Sequence, residues 1–247
     1  GYLEIGLLAD AEKIFTSIVK TTDNPECRQK SIISISRIDI DRGDTEKAQE
    51  RLNILLYGGK VLASVTDEAN HILGDACFLD KKYKEAIDAY SVAMKDRDAI
   101  SLRQARSLLR LGEAFGRTGY YYNGIQALKK LTAIAGRVQP QGKEIAALTQ
   151  EAHLLIGDYQ CKKGNYNAAI ASYRELTLTG AEDEKKGWAF LKWGDALVQK
   201  GDYDNATKMF TQVAEKMPYT SLKNFAQSRI TGIKWQKNMQ SDLQEFM

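Results

Sequence analysis

Histidine and proline are scarce in this chain of 247 residues, at two and three respectively, and each shortage excludes something. Two histidines far apart cannot supply an H-E-x-x-H zinc helix, and G-x-S-x-G, G-x-x-x-x-G-K and G-x-G-x-x-G are also absent, so no familiar catalytic or phosphate-cradling constellation is present. With few prolines and 27% charged residues, no stretch reads as a long disordered linker. Cys27, Cys77 and Cys161 are odd in number and lack C-x-x-C spacing. Neither a disulfide framework nor a metal site is predicted, and all three read as small buried hydrophobes. No apolar run approaches the roughly 18 residues of a membrane span, and no signal peptide opens the chain. The 35 basic and 32 acidic residues are interspersed without a basic block, which speaks against nucleic acid. The carboxylates Asp39 and Asp41, and Glu182, Asp183 and Glu184, read as solvated charge. No cofactor and no catalysis are expected.

What is present is periodicity. Between Trp188 and Pro218 stand Phe190, Trp193, Gly194, Gly201, Tyr203, Ala206, Phe210 and Val213. Gly157, Gly164, Tyr166, Ala169, Tyr173 and Leu176 repeat the pattern one unit earlier. Gly112, Phe115, Gly119, Tyr121, Gly124 and Leu128 form a third copy, and Gly74, Tyr83, Ala86, Tyr90 and Ala93 a fourth, with Lys81 in place of the turn glycine. A weaker copy has Ser36, Gly43, Ala48 and Leu52. Tyr2, Gly6, Ala11 and Phe15 fit the end of another, so the sequence is expected to open inside a repeat, as an excised segment would. Successive mid-helix small residues (36, 74, 112, 157, 194) are separated by 38, 38, 45 and 37 positions. The widest interval contains Gly136, Pro140 and Gly142, which predict a loop.

These positions are about packing. A small residue in the middle of one helix, and another on the next (Ala86, Ala169, Ala206), allow two backbones to approach while aromatic side chains fill the flanks. The glycines between helices (Gly6, Gly43, Gly119, Gly164, Gly201) suit a left-handed helix end, and Asp44 and Asp202 are placed to cap the helix that follows.

The pattern resembles the tetratricopeptide repeat family over nearly the whole chain. The resemblance implies an all-α fold, a right-handed superhelical solenoid of antiparallel helix pairs. It would be one domain over 1–237 with about five full repeats and a terminal helix, followed by a frayed tail at 238–247. The segment Met217-Pro218-Tyr219-Thr220-Ser221 leading into Ala226-Gln227-Ser228-Arg229-Ile230 is also similar to bacterial envelope members of the family, which implies a periplasmic or envelope-associated setting.

By the same resemblance, the first helix of each pair lines a concave groove. Three residues before the mid-helix position lie Ile33, His71, Leu109, Leu154 and Leu191, expected as an apolar groove floor. Directly after it lie Arg37, Asp75, Glu113, Asp158 and Asp195, and four after it Ile40, Phe78, Gly116, Cys161 and Val198. The carboxylate ladder either attracts a basic or amphipathic segment or pairs with neighbouring cations. Acids at these positions oppose the variant of the family that grips a C-terminal carboxylate. His71 reads either as a proton carrier or as a packed side chain. Trp193 reads as core and Trp188 as a candidate anchor in the groove. Of Tyr120, Tyr121 and Tyr122, one is expected in the core and two partly exposed.

The expected function is therefore a protein-interaction scaffold. Two alternatives stand beside it: self-assembly into homo-oligomers through exposed ends, and a groove for a small molecule or glycan stacked on Trp188, Tyr122 and Phe78.

Overall fold

The computed structural model describes residues 2–94, 101–137 and 142–245. Among them there are helices and turns and no strand. The helices are α1 (Tyr2–Thr21), α2 (Pro25–Asp41), α3 (Thr45–Tyr57), α4 (Ala63–Leu79), α5 (Tyr83–Ala93) and α6 (Leu102–Arg117). They continue with α7 (Tyr121–Arg137), α8 (Lys143–Lys162), α9 (Tyr166–Leu178), α10 (Asp183–Gln199), α11 (Tyr203–Lys216) and α12 (Thr220–Glu245).

Local chemistry sets several of the starts. The Asn24 side chain accepts from the N–H groups of Glu26 and Cys27 just ahead of Pro25, and Ser101 with Gln104 closes a reciprocal capping box on α6. Asp202 accepts from the Asn205 N–H as expected, but Asp44 makes no such cap and pairs instead with Lys47 one turn on.

Five three-residue turns are built alike. Gly43, Gly119, Gly164 and Gly201 have φ between 75° and 85°, and Lys81 takes the same left-handed form at φ 60°. In each the next N–H reaches back five residues: Asp44 to Asp39, Lys82 to Cys77, Tyr120 to Phe115, Asn165 to Gln160 and Asp202 to Leu197, all at 2.8–2.9 Å. Gly6 is a correction to the sequence reading. It lies inside the 20-residue α1 and is no turn, because the helix continues through it and requires no left-handed residue. Of the expected loop, Gly136 is helical, Gly142 precedes α8, and Pro140 lies outside the described residues.

Contacts divide the chain into two compact units, Gly1–Tyr120 and Tyr121–Met247. In the first, each of α1 to α5 packs on its successor, and α2, α4 and α6 also touch in sequence. In the second, α7 to α11 do the same, with α8, α10 and α12 touching in sequence. This is the helix-pair stacking of the expected all-α class. α12 runs on to Glu245, past residue 237 where fraying was expected.

The mid-helix glycines seat the aromatic ring of the paired helix. A Cβ on Gly74 would lie 2.6 Å from the Tyr90 ring, and Gly157 and Gly194 stand in the same relation to Tyr173 and Phe210. Tyr90, Tyr173 and Phe210 are among the largest fully buried side chains. Any side chain at these glycines would push the ring out and separate the helices. Cys77 is buried and Cys161 half-buried, whereas Cys27 is exposed in the first turn of α2, contrary to the sequence reading.

Candidate functional site

The helices that follow the groove pattern are α2, α4 and α6 in the first unit and α8, α10 and α12 in the second, here termed first helices. Buried tyrosines on the paired second helices, Tyr90 on α5 and Tyr173 on α9, explain much of the acidic ladder. The Tyr90 hydroxyl donates to Asp75 Oδ1 at 2.5 Å and the Tyr173 hydroxyl to Asp158 Oδ1 at 2.8 Å, each across 15 residues. Burial beside these carboxylates pushes both phenols far above their ordinary range, so they remain donors. In the remaining pair Phe210 has no hydroxyl to give, and Asp195 turns to Arg229 Nε at 2.8 Å.

In the second unit the ladder also ties each first helix to the next. Lys192 Nζ reaches both oxygens of Asp158 at 2.8 Å, and Arg229 reaches Asp195, each from 34 residues further along. In the first unit Glu68 on α4 accepts from Arg37 on α2 at 2.7 Å and pairs with Arg103 on α6 at 3.0 Å, so one carboxylate links three helices. Glu113 pairs with Arg110 at 2.8 Å in its own helix. All five residues of the expected ladder, Arg37, Asp75, Glu113, Asp158 and Asp195, thus have protein partners.

The expected groove floor needs correction. Ile33, His71, Leu109 and Leu191 are buried and Leu154 is half-buried. Residues three apart share a helix face, and the mid-helix glycine already faces the ring of the paired helix, so side chains three positions back lie on the packed side. Leu191 shares a core cluster with Ala226, and Leu154 packs against the cluster holding Ala189. Phe78 is half-buried, with the Arg110 guanidinium 5.0 Å above its ring and Tyr83 edge-on at 5.4 Å. Trp193 packs into the core as expected. Tyr121 packs on Tyr159 while Tyr120 and Tyr122 are exposed.

Trp188 does face outward. It is 38% exposed on α10, and Phe225 on α12 is 54% exposed, with ring centroids 5.8 Å apart and planes tilted by 47°. Trp188 was legible from the sequence; Phe225 was not singled out. Stepping from Trp188 to the equivalent position of the next first helix would have found it. In the first unit a recess of about 430 Å³ lies among Arg37, Ile40, His71, Asp75, Arg103 and Arg106. Arg106 is exposed and has no ion-pair partner among the described residues.

Sequence reading also missed a side-chain relay. His71 Nδ1 lies 2.7 Å from Ser107 Oγ and its Nε2 3.5 Å from Asp75. A serine, a histidine and an aspartate in line resemble a nucleophilic triad in composition. Ser107, however, is 1% exposed between α4 and α6, where no substrate carbonyl can reach its oxygen. Burial lowers the His71 pKa, an effect opposed by Asp75 and reinforced by Arg103, Arg37 and Arg106. Among the described residues no group of three metal-ligating side chains comes together, and no helix is long and apolar enough to cross a membrane.

No curated protein sequence matches the chain. The solved structures it is similar to include YrrB, described as a TPR protein with an unusual peptide-binding site (16% identity, TM-score 0.63, 87% of this chain and 97% of that one). MamA residues 41 to the end from Desulfovibrio magneticus RS-1 aligns at 20% identity and TM-score 0.58, over 76% and 93% of the two chains. Apo RapI aligns at 12% identity and TM-score 0.70, over 94% and 72%. The model of the tetratricopeptide repeat family matches residues 188–218, the segment in which Gly194 seats Phe210. Residues 188–218 thus match the tetratricopeptide repeat, and the chain as a whole shares its fold with solved structures that include a tetratricopeptide-repeat protein.

Proposed function

We propose that this protein is a binding scaffold rather than an enzyme, and that the open face of α10 and α12 takes an apolar or amphipathic segment of another protein. The observation that carries the reading is the exposed Trp188–Phe225 pair. Around it the nearby cations Lys192 and Arg229 are already held by Asp158 and Asp195. Paired charges contribute little field, so the aromatic surface is what remains to be covered. Tryptophan at such a place typically accounts for about 2 kcal/mol or more of binding. The junction from Met217 to Ile230 supports a role inside a bacterial envelope assembly.

The test is affinity capture from native extract with protein identification by mass spectrometry, comparing the unaltered chain with a Trp188→Ala, Phe225→Ala variant and with Trp235→Ala. Trp235 is also exposed on α12 but makes no ring pair among the described residues. A protein retained by the unaltered chain and by Trp235→Ala, but lost from the double variant, supports the reading. Identical retention by all three chains rejects it.

A further inference from the structure

His71 and Ser107 occupy a place that is apolar elsewhere. Three residues before the mid-helix position, the second unit has Leu154 and Leu191, which pack against the clusters containing Ala189 and Ala226 on the next first helix. The corresponding pair in the first unit is His71 on α4 and Ser107 on α6. Where the second unit sets leucine against alanine, this pair sets imidazole against hydroxyl. The two remain buried, at 6% and 1% exposure, with Nδ1 and Oγ 2.7 Å apart.

The groups around the ring come from α2, α5 and α6 as well as from α4 itself. Arg37 on α2 and Arg103 and Arg106 on α6 line the same recess as His71 and disfavour a positive ring. Asp75 on α4 favours it from 3.5 Å, but that carboxylate already accepts from Tyr90 on α5. The Tyr90 ring, at 6.2 Å, closes a further side. Asp41 on α2 lines the recess as well, and Glu68 on α4 pairs with Arg37 and Arg103. A proton on this buried ring therefore meets the guanidinium of Arg106, unpaired among the described residues, two guanidinium groups already held by Glu68, and the committed carboxylate of Asp75.

We infer that His71 and Ser107 form a proton-sensitive joint between α4 and α6, closed while the imidazole is neutral and loosened when mild acid charges it. The sign follows from linkage. Burial depresses the native pKa below the ordinary value of about 6.5, so the opened state binds the proton more readily. The joint's contribution is complete above about pH 6.5 and declines as pH falls toward the depressed value. Loosening α4 against α6 would reshape the recess between them, independently of what binds at Trp188.

The chain has only two histidines, so little else titrates between pH 7.5 and 5. Amide hydrogen exchange of α4 and α6, corrected for intrinsic rates, should quicken by about fivefold to tenfold from pH 7.5 to 5.0 in the unaltered protein. His71→Leu with Ser107→Ala, which restores the pair found in the second unit, should abolish that acceleration, and His153→Gln should leave it intact. Equal acceleration in the unaltered and doubly substituted chains overturns the inference, as does its loss in His153→Gln. Should the double variant fail to fold, the imidazole resonances of the unaltered protein decide: a His71 midpoint below about 6.5 supports the joint, and one at or above it overturns it.

Discussion

The hydroxyl of Tyr173 donates to Asp158 Oδ1 at 2.8 Å while Lys192 holds both oxygens of the same carboxylate, so one acid fastens a helix to its pair and to the next first helix. Asp158 therefore carries more than its two partners do separately. Tyr173→Phe should lower stability to urea by about 1–2 kcal/mol, the range for a hydrogen bond to a charged acceptor. Asp158→Ala should cost more, because it strands a buried phenol and frees an ammonium. Arg229→Ala should cost under about 1 kcal/mol, since the Asp195–Arg229 pair is half exposed. Asp158→Ala no more costly than Arg229→Ala would refute the fastening role.

Glycine-to-alanine substitutions should split by location. Alanine is the better helix former by about 1 kcal/mol, so Gly232→Ala, with nothing within 4 Å of the added carbon, should stabilise. Gly74→Ala and Gly157→Ala should destabilise by about 1–3 kcal/mol, because the added carbon invades the Tyr90 and Tyr173 rings. Thermal unfolding of the three variants checks the opposite signs.

The turn at Lys81 offers a second sign test. A non-glycine residue in the left-handed region costs roughly 1–2 kcal/mol, and glycine returns part of that gain through its freer unfolded chain. Lys81→Gly should therefore raise stability by about 0.5 kcal/mol, whereas Gly201→Ala, at φ 79°, should lower it by about 1 kcal/mol. Urea unfolding midpoints of the two variants, moving in opposite directions, would confirm it.

The aromatic face should separate binding from stability. Trp188 and Phe225 are substantially exposed, so Trp188→Ala should shift the melting temperature by only a few degrees while abolishing capture of a partner. A large fall in melting temperature with capture retained would show the ring to be structural.

The repeat was legible because packing leaves a covalent trace. A glycine opposite a tyrosine or phenylalanine is a steric requirement, and so Gly74, Gly157 and Gly194 appear at matching places in sequence and structure. Lys81 was readable as a turn residue because its neighbours kept the spacing. The groove floor was misread because period alone does not say which way a helix is turned. His71, Leu109 and Leu191 obey the helical step yet face the neighbouring helix. The ladder acids stood at the right positions, but their engagement by Tyr173, Lys192 and Arg229 depends on atoms brought together from 15 and 34 residues away. Gly6 was taken for a turn because glycine marks both helix ends and tolerated helix interiors.

The five left-handed turns are each three residues long, at 42–44, 80–82, 118–120, 163–165 and 200–202, while the connections that follow α3, α9 and α11 differ in length, at 58–62, 179–182 and 217–219. Length variation is thus confined to one class of joint. A foreign peptide, an affinity tag or a fluorescent-label site placed at 58–62 or 179–182 should leave the helix pairs on either side undisturbed, whereas one extra residue at 163–165 or 200–202 would twist the second helix off its glycine seat. Insertions in this lineage are expected to accumulate accordingly, with the molecule growing or shrinking by whole hairpins.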